Sequence, residues 1–287
     1  MDRLQSINFI KMHGLGNDFV VIDNSQCSLP FHPRKQQIIH MANRKLGIGC
    51  DQVLILDLCT NAQASFNYSV YNQDGSQAET CGNGARCIIK YILENRLITA
   101  EHVTIATKSR LISGHLTPNK LISVNMGTAN TAPHTIPFHY PLHNTNNLYT
   151  IKLKHTTITF GVVSVENPHA IIKVNTAKEL KDTITLEKIA KLLQQSTYFP
   201  ESVNVNFYYI EPNQQLNLVT YERGCGFTSA CGSGACATAY YIITQQQSTQ
   251  QLNVSMDSGN LNIRLTPEGN IIMTGDATEV YRGTIIL

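Results

Sequence analysis

The sequence predicts an α/β protein of the α+β type, with two similar domains that each curl a mixed sheet around a central helix. Three observations support this class. The motif Cys-Gly-polar-Gly-Ala occurs at 81–85 and again at 231–235, 150 positions further along the 287-residue chain. Each copy opens an apolar helical run, and a helix without a polar face is buried on all sides. Stretches with strand-like patterns surround both helices.

The first half alternates strands with helices. We expect a helix at 34–45 after Pro33, a central helix from 82 to about 95, and strands at 7–12, 19–23, 51–57, 64–72, 102–108, 110–116 and 120–127. Between 128 and 147, Pro133, Pro137, Pro141 and many polar residues indicate a linker. The first domain is therefore predicted at residues 1–130.

The second half repeats this alternation, and its domain is predicted at residues 131–276. Thr185 is the predicted N-cap of a short helix at 186–194. We expect turns at 166–170 and 211–213, a second central helix after Cys231, and strands at 149–153, 157–165, 204–210, 215–221, 252–256, 260–265, 270–273 and 279–287.

Composition excludes several classes of function. The net charge of +2, without a basic block, gives no field that would select nucleic acid or an anionic membrane. No apolar run approaches the ~20 residues that span a bilayer, and the N-terminal stretch lacks the apolar core of a signal peptide. A chain of this size does not need its eight cysteines as disulfide staples. We expect a cytoplasmic protein with reduced thiols.

The repeated turn places a cysteine at the start of each central helix. Free N–H groups and the helix dipole favour an anion there, and a thiol in this position has its pKa lowered from about 8.5 towards neutrality. A lone free cysteine is more often a small buried hydrophobe, but the recurrence favours chemistry. Two such turns would present Cys81 and Cys231 to opposite faces of one carbon that bears a carboxylate. We expect this two-base site in the cleft between the domains.

Other chemistry fits the spacing poorly. The cysteines at 81 and 87, and those at 225, 231 and 236, lack the C-x2-C spacing of structural zinc sites and of redox dithiols. Neither glycine turn holds the lysine that a pyridoxal Schiff base requires. We therefore expect neither a metal nor a cofactor, and we assign Cys87 and Cys236 to the core.

Polar residues on the remaining turns suggest the ligand. Together they offer many amides, one guanidinium and one carboxylate, which suits a zwitterion that carries both carboxylates and an ammonium. The candidates are Asn17, Gln52, Asn72, Asn83, Asn167, His169, Asn204, Glu222 and Arg223.

These residues belong to longer motifs that resemble those of the diaminopimelate epimerase family. Members of this family are pyridoxal-independent amino-acid epimerases of lysine and peptidoglycan synthesis. The resemblance covers the whole length. The motifs are KMHGLGNDF at 11–19, GCDQ at 49–52, NQDGS at 72–76, CGNGARC at 81–87, NPH at 167–169, FPESVNV at 199–205, ERG at 222–224 and CGSGAC at 231–236.

The resemblance implies a role for each matching residue. Cys81 and Cys231 would be the two acid/base thiols, and His169 and Glu222 would tune their pKa. The last strand, about 277–287, would return to the first domain, and Tyr281 would contribute to a homodimer. Substrate would be bound by Asn17, Gln52, Asn72, Gly82, Asn83, Asn167, Asn204, Glu222, Arg223, Gly232 and Ser233.

Two positions depart from the family pattern, and two other functions compete. Phe227 stands where a glutamate is frequent, and Cys50 where an aromatic or small residue is frequent, while Cys225 is an additional thiol near Cys231.

The first alternative function is that of a two-cysteine racemase of proline or hydroxyproline, which would leave Glu222, Arg223 and the asparagines partly unused. The second is a catalytically silent binding protein of the same fold.

Overall fold

The computed structural model describes residues 5–60, 62–78, 81–140, 146–212, 214–246 and 249–287. Residues 1–4, Pro141 of the predicted linker and Asn213 of the predicted hairpin turn lie outside these ranges. Within the described part of the chain, every helix is too short or too polar to cross a membrane.

Secondary structure follows the predicted alternation. The first part contains β1 (Ser6–Gly14), β2 (Asn17–Asp23), α1 (Lys35–Ala42), β3 (Gln52–Leu58), β4 (Phe66–Asn72), β5 (Gln77–Ala78), α2 (Gly82–Glu94), β6 (His102–Ala106), β7 (Leu111–Leu116) and β8 (Ile122–Thr128). A 3-10 turn at Pro133–Thr135 follows. The second part contains β9 (Tyr149–Leu153), β10 (Thr156–Val165), β11 (Asn167–Lys173), α3 (Ala177–Leu180), α4 (Thr183–Gln194), β12 (Asn204–Ile210), β13 (Leu216–Glu222), β14 (Gly226–Thr228), α5 (Gly232–Gln246), β15 (Gln251–Met256), β16 (Gly259–Leu265), β17 (Asn270–Gly275) and β18 (Thr278–Ile286).

The first of two compact units comprises Met1–Asn125 and Thr274–Leu287. Strand β1 pairs antiparallel with both β2 and β18. Strand β2 lies parallel to β3, β3 antiparallel to β4, and β4 parallel to β6. Helix α2 packs against β1, β2, β3, β6 and β7, and its side chains Cys87, Ile88 and Ile92 are fully buried. The predicted buried central helix is thus confirmed in this unit.

The second unit, Met126–Met273, has the same order of pairings. Strand β10 lies antiparallel to β11, β11 parallel to β12, β12 antiparallel to β13, and β13 parallel to β15. Helix α5 packs against β10, β11, β12, β15 and β16. Cys236, Ala237 and Ala239 on this helix are fully buried. The internal repeat seen in the glycine turns therefore extends to the topology of the units.

Two local predictions are wrong. The turn predicted at 166–170 is confined to Glu166, at a positive φ of 72°, and the next residues already pair in β11. Helix α4 begins at Thr183, because the Asp182 side chain, 3.2 Å from the N–H of Thr185, takes the N-cap position. The described residues of the predicted linker form a loop with one 3-10 turn, and Phe138 in that loop is buried against Tyr149 and Phe199 in the core of the second unit.

Candidate active site

Three amide side chains lie at one edge of the first unit's sheet. Asn17 begins β2, Gln52 begins β3, and Asn72 ends β4. They come to the same edge because β2 and β3 are parallel, with Phe19 opposite Gln52, and β4 runs back antiparallel, with Asn72 opposite Gln52. The Gln52 amide donates a hydrogen bond to Asn72 Oδ1 at 2.9 Å. The topology therefore collects amides that the sequence separates.

Cys81 is the N-cap of α2, and its thiol contacts Asn17, one of these three amide side chains. Its Sγ accepts a hydrogen bond from the N–H of Gly84 at 3.4 Å, as a side chain at the start of a helix does. The thiol donates to Asn17 Oδ1 at 3.7 Å, and the Asn83 amide donates to the same oxygen at 3.2 Å. Tyr68 donates to the carbonyl of Cys81 at 3.2 Å. Asn17, Cys81 and Asn83 are thus brought together.

A charged network that the sequence analysis missed holds Asn17 in this orientation. Asp51 Oδ2 accepts from the Asn17 amide at 2.9 Å, so Asn17 Oδ1 faces the thiol. Arg44 binds Asp51 at 2.7 Å and also binds Asp18, whose second partner is Lys11. Burial alone would raise the pKa of the Asp18 carboxyl, but Arg44 and Lys11 outweigh it and hold that pKa well below its usual range. The signal was present in the sequence, because both aspartates lie within the quoted motifs.

The second unit repeats the sheet edge with different side chains. Asn167 begins β11, Asn204 begins β12, and Glu222 ends β13, with His169 opposite Asn204 in the parallel pair. Asn204 Oδ1 accepts from the backbone N–H of Arg223 at 2.8 Å. Glu222 accepts from the hydroxyl of Thr228 at 2.5 Å. The 150-residue spacing of the cysteines also separates Asn17 from Asn167 and Asn72 from Glu222.

Arg223 lies next to this edge on the exposed turn after β13. Its guanidinium donates to the carbonyl of Glu201 at 2.7 Å. That bond holds the guanidinium of Arg223 beside the loop that leads into Asn204. Arg223 and Asn204, both predicted to bind substrate, therefore lie in the same part of the second unit.

Cys231 precedes α5 and is buried, with 5% of its surface exposed. Its Sγ lies 3.5 Å from the hydroxyl of Ser233. Burial, followed by the negative charge of Glu222, raises the pKa of the Cys231 thiol well above its ordinary value, although the Ser233 hydroxyl and the N–H of Gly234 act in the opposite direction. The expected lowering by the helix N-terminus is therefore present but outweighed, because a thiolate loses more by leaving water.

His169 connects this turn to a buried group that the sequence analysis also missed. Its Nε2 lies 2.9 Å from Asn167 Oδ1 and 3.2 Å from Ser233 Oγ. Its Nδ1 lies 3.1 Å from the amide nitrogen of Asn206, and Thr220 donates to Asn206 Oδ1 at 3.1 Å. Burial lowers the pKa of His169 to about 3, so the ring is neutral at pH 7.

The remaining candidates lie outside these two clusters. Tyr281 is on β18 and is 46% exposed, with its ring edge-on to Phe9 at 6.0 Å between centroids. Phe227 packs edge-on to Tyr221 at 5.0 Å. Cys50 is fully buried, and Cys225 is exposed.

The diaminopimelate epimerase family matches residues 9–132 and 161–280. A protein named diaminopimelate epimerase, from Vesicomyosocius okutanii subsp. Calyptogena okutanii (strain HA), is 37% identical over 279 residues, which are 97% of this chain and 98% of that one.

Solved structures share the fold at low identity. A hydroxyproline epimerase from Agrobacterium vitis superposes with a TM-score of 0.68 at 15% identity, over 100% of this chain and 93% of that chain. A phenazine biosynthesis protein of the PhzF family from Bacillus anthracis gives 0.69 at 14% identity, over 99% and 100%. These likenesses confirm the predicted α+β fold class, and the family match confirms the resemblance. The chain belongs to the diaminopimelate epimerase family.

Proposed function

We propose that this protein is an isomerase that interconverts LL-2,6-diaminopimelate and meso-2,6-diaminopimelate with two cysteines and no cofactor. The observation that carries the proposal is the repeat itself. A cysteine stands before the first turn of a buried helix in each unit, at corresponding positions beside a polar sheet edge. The reaction would serve lysine and peptidoglycan precursor synthesis in the cytoplasm.

The proposed chemistry is a proton exchange at the α-carbon. The thiolate of one cysteine takes the α-proton and becomes a thiol, while the thiol of the other donates a proton to the opposite face and becomes a thiolate. Between the loss of one proton and the gain of the other, negative charge accumulates on the α-carboxylate. Backbone N–H groups at the starts of α2 and α5, around Gly82–Asn83 and Gly232–Ser233, would stabilise that charge.

The environment of Cys231 suggests its starting state. Its raised pKa favours the thiol over the thiolate. We therefore assign Cys231 as the initial proton donor and Cys81 as the initial base in one direction of the reaction. Microscopic reversibility exchanges these roles in the other direction.

The polar edges suit the rest of the substrate. The guanidinium of Arg223 can bind a carboxylate with its planar fork, and the carboxylate of Glu222 can bind an ammonium. Amides both donate and accept, so they can serve either group. In this role we place Asn17, Gln52, Asn72, Asn83, Asn167 and Asn204.

We further propose a homodimer that uses β18. Val280, Tyr281 and Ile286 on this strand are all large apolar side chains with roughly half or more of their surface exposed. Large apolar side chains exposed along one strand are candidates for an interface.

The test is the source of the hydrogen in the product. In heavy water we expect early product with deuterium at the inverted carbon, while unreacted substrate stays largely unlabelled, because the donating thiol has exchanged with solvent. Cys81→Ala and Cys231→Ala should each abolish epimerisation, since each direction needs one thiol and one thiolate. Cys27→Ala, at an exposed cysteine of the first unit, is the matched control and should keep activity.

Four outcomes would contradict the proposal. Early product that retains the substrate hydrogen would exclude two bases. Robust turnover by either catalytic alanine variant would exclude the cysteine assignment. Faster turnover of proline or hydroxyproline than of diaminopimelate would favour the first alternative, and no exchange on any of them would favour a silent binding protein.

A further inference from the structure

A buried polar group lies beneath the second glycine turn. His169, Asn206 and Thr220 expose 0%, 0% and 2% of their surface. Thr220 donates to Asn206 Oδ1, and the Asn206 amide nitrogen faces His169 Nδ1. Gly234 covers the group so closely that a Cβ there would lie 2.9 Å from Asn206 Oδ1 and 3.0 Å from Thr220 Oγ1.

The first unit has apolar residues at the corresponding places. Strand registers place Leu54 opposite Val70 in β3 and β4, just as Asn206 lies opposite Thr220 in β12 and β13. A Cβ on Gly84 would meet the Tyr68 hydroxyl first, and Leu54 Cδ1 at 3.2 Å, so Leu54 stands where Asn206 meets Gly234 and the one polar atom near Gly84 comes from Tyr68, next along β4.

The position of His169 follows the same correspondence. In the first unit Phe19 lies opposite Gln52, whereas in the second His169 lies opposite Asn204. The fold therefore does not need polar side chains at these three places. Buried polar groups cost stability unless they are paired, so a group kept in only one repeat points to a role in its site.

With the Asn167 and Asn206 amides oriented as they lie in the structure, the hydrogen bonds match one neutral form of His169. Nε2 faces Asn167 Oδ1, which only accepts, so Nε2 must carry the proton. Nδ1 faces an amide N–H, so it must be bare. The Thr220 hydroxyl donates to Asn206 Oδ1, and in this orientation the NH₂ of Asn206 faces Nδ1. A proton on Nδ1 would set two donors against each other.

We propose that Asn206 is a positioning residue that holds neutral His169 with its proton on Nε2, so that this N–H orients the Asn167 amide and the Ser233 hydroxyl. With Oδ1 engaged by His169, the NH₂ of Asn167 is turned away from the ring. With its oxygen accepting from Nε2, Ser233 can donate its own hydrogen to Cys231 Sγ, 3.5 Å away. The catalytic consequence rests on the proposed function, whereas the tautomer does not.

The first experiment is ¹⁵N NMR of the histidine-labelled protein at pH 7, without substrate. Bare and protonated ring nitrogens resonate in separate ranges, and the loss of one pair of signals in His169→Gln assigns His169 among the ten histidines. We expect a protonated Nε2 and a bare Nδ1. A proton on Nδ1 in the parent protein would overturn the proposal, whether or not the protein epimerises diaminopimelate.

Variants then test Asn206 itself. Asn206→Asp replaces the facing donor with an acceptor, so we expect a proton to appear on Nδ1; an unchanged spectrum would overturn the proposal. Asn206→Leu copies the first repeat and should lower kcat/KM about 10-fold, the scale of one lost buried hydrogen bond. Parental efficiency in Asn206→Leu would equally overturn it.

Two further variants serve as controls. Asn253→Asp places the same new carboxylate on β15, where it can still accept from Asn262, and should keep the parent's NMR signals and activity. Equal losses in Asn253→Asp and Asn206→Asp would mean a general charge effect and would reject the assignment. Thr220→Val introduces the residue type that the first repeat has at this place, and it should lower kcat/KM less than Asn206→Leu does. If Asn206→Leu fails to fold, Thr220→Val serves as the test in its place.

Discussion

Cys231 combines a helix N-terminus with deep burial and a nearby carboxylate. The N–H of Gly234 favours the thiolate, whereas burial and Glu222 favour the thiol, and the second influence is larger. A proton donor needs its proton in the resting state, so this balance suits a thiol that first donates a proton to the substrate and only later accepts one.

At this residue scale, Glu222→Gln should lower the pKa of the Cys231 thiol. The substitution removes a negative charge that raises this pKa while it keeps the shape of the side chain. The measurement is the pH dependence of Cys231 alkylation, resolved by mass spectrometry. Glu268→Gln, on an exposed turn, is the matched control. A pKa of Cys231 that stays put or rises in Glu222→Gln would contradict the role of this carboxylate.

Sequence patterns found the polar residues on turns, at strand ends and in the Asn-Pro-His motif, but missed Asn206 and Thr220. Asn17, Gln52, Asn72 and Asn204 stand where strands begin or end, so their side chains read as site candidates. Asn206 and Thr220 lie within alternating stretches, where a polar residue usually faces solvent. Only the register between β12 and β13, and the glycine above them, places these two beneath Cys231.

At the scale of elements, charged side chains fasten β1 and β2 to the loop before β3. Lys11 on β1 is 8% exposed and binds both Asp18 and the carbonyl of Gly49. Arg44 binds Asp18 and Asp51 from the loop after α1. Since Asp51 in turn holds Asn17, the stability of this corner and the orientation of the Cys81 site depend on the same carboxylates.

This network predicts a loss of stability in acid. The pKa of Asp18 is held below its unfolded value of about 3.9. Its contribution is therefore complete above that pH and is lost as the pH falls through the lower, folded pKa. We expect Asp18 to account for about 2 kcal/mol of the difference in unfolding free energy between pH 7 and acid.

Urea unfolding at pH 7 and pH 2 measures that difference. Asp18→Asn should be less stable than the parent at pH 7 and should lose less on acidification. Asp257→Asn, on an exposed turn, should behave as the parent does. Equal pH dependence in Asp18→Asn and the parent would show that the acid sensitivity lies elsewhere.

Element boundaries were predicted best where apolar periodicity was strong. The central helices and the strands at 204–210 and 149–153 belong to this group. The turn at 166–170 was misread because Pro168 is a turn former by type, yet at the start of a strand it needs no ladder N–H. β14 and α3 were missed because three- and four-residue elements have too few positions to show a period.

For the whole molecule, the exposed apolar side chains of β18 carry the prediction of a dimer. We expect light scattering to give twice the chain mass of 31.9 kDa. Tyr281→Glu should shift the protein towards the monomer, because it would bury an unpaired charge in the interface. Leu29→Glu, at a site 80% exposed, is the control and should leave the mass unchanged. A monomeric parent, or a dimer that Tyr281→Glu does not weaken, would remove β18 from the interface.

The pairing of β18 with β1 also determines the order in which the two units can finish folding while the chain is synthesised. The second unit is continuous in sequence, whereas the first needs residues 274–287, which leave the ribosome after the whole second unit. Domains usually fold from the N-terminus as they emerge. Here the later-made unit can finish first, and until its last strand arrives the first unit exposes the edge of β1, a template for wrong strand pairing. A nascent chain stalled before β18 should therefore be the species that most needs chaperone protection.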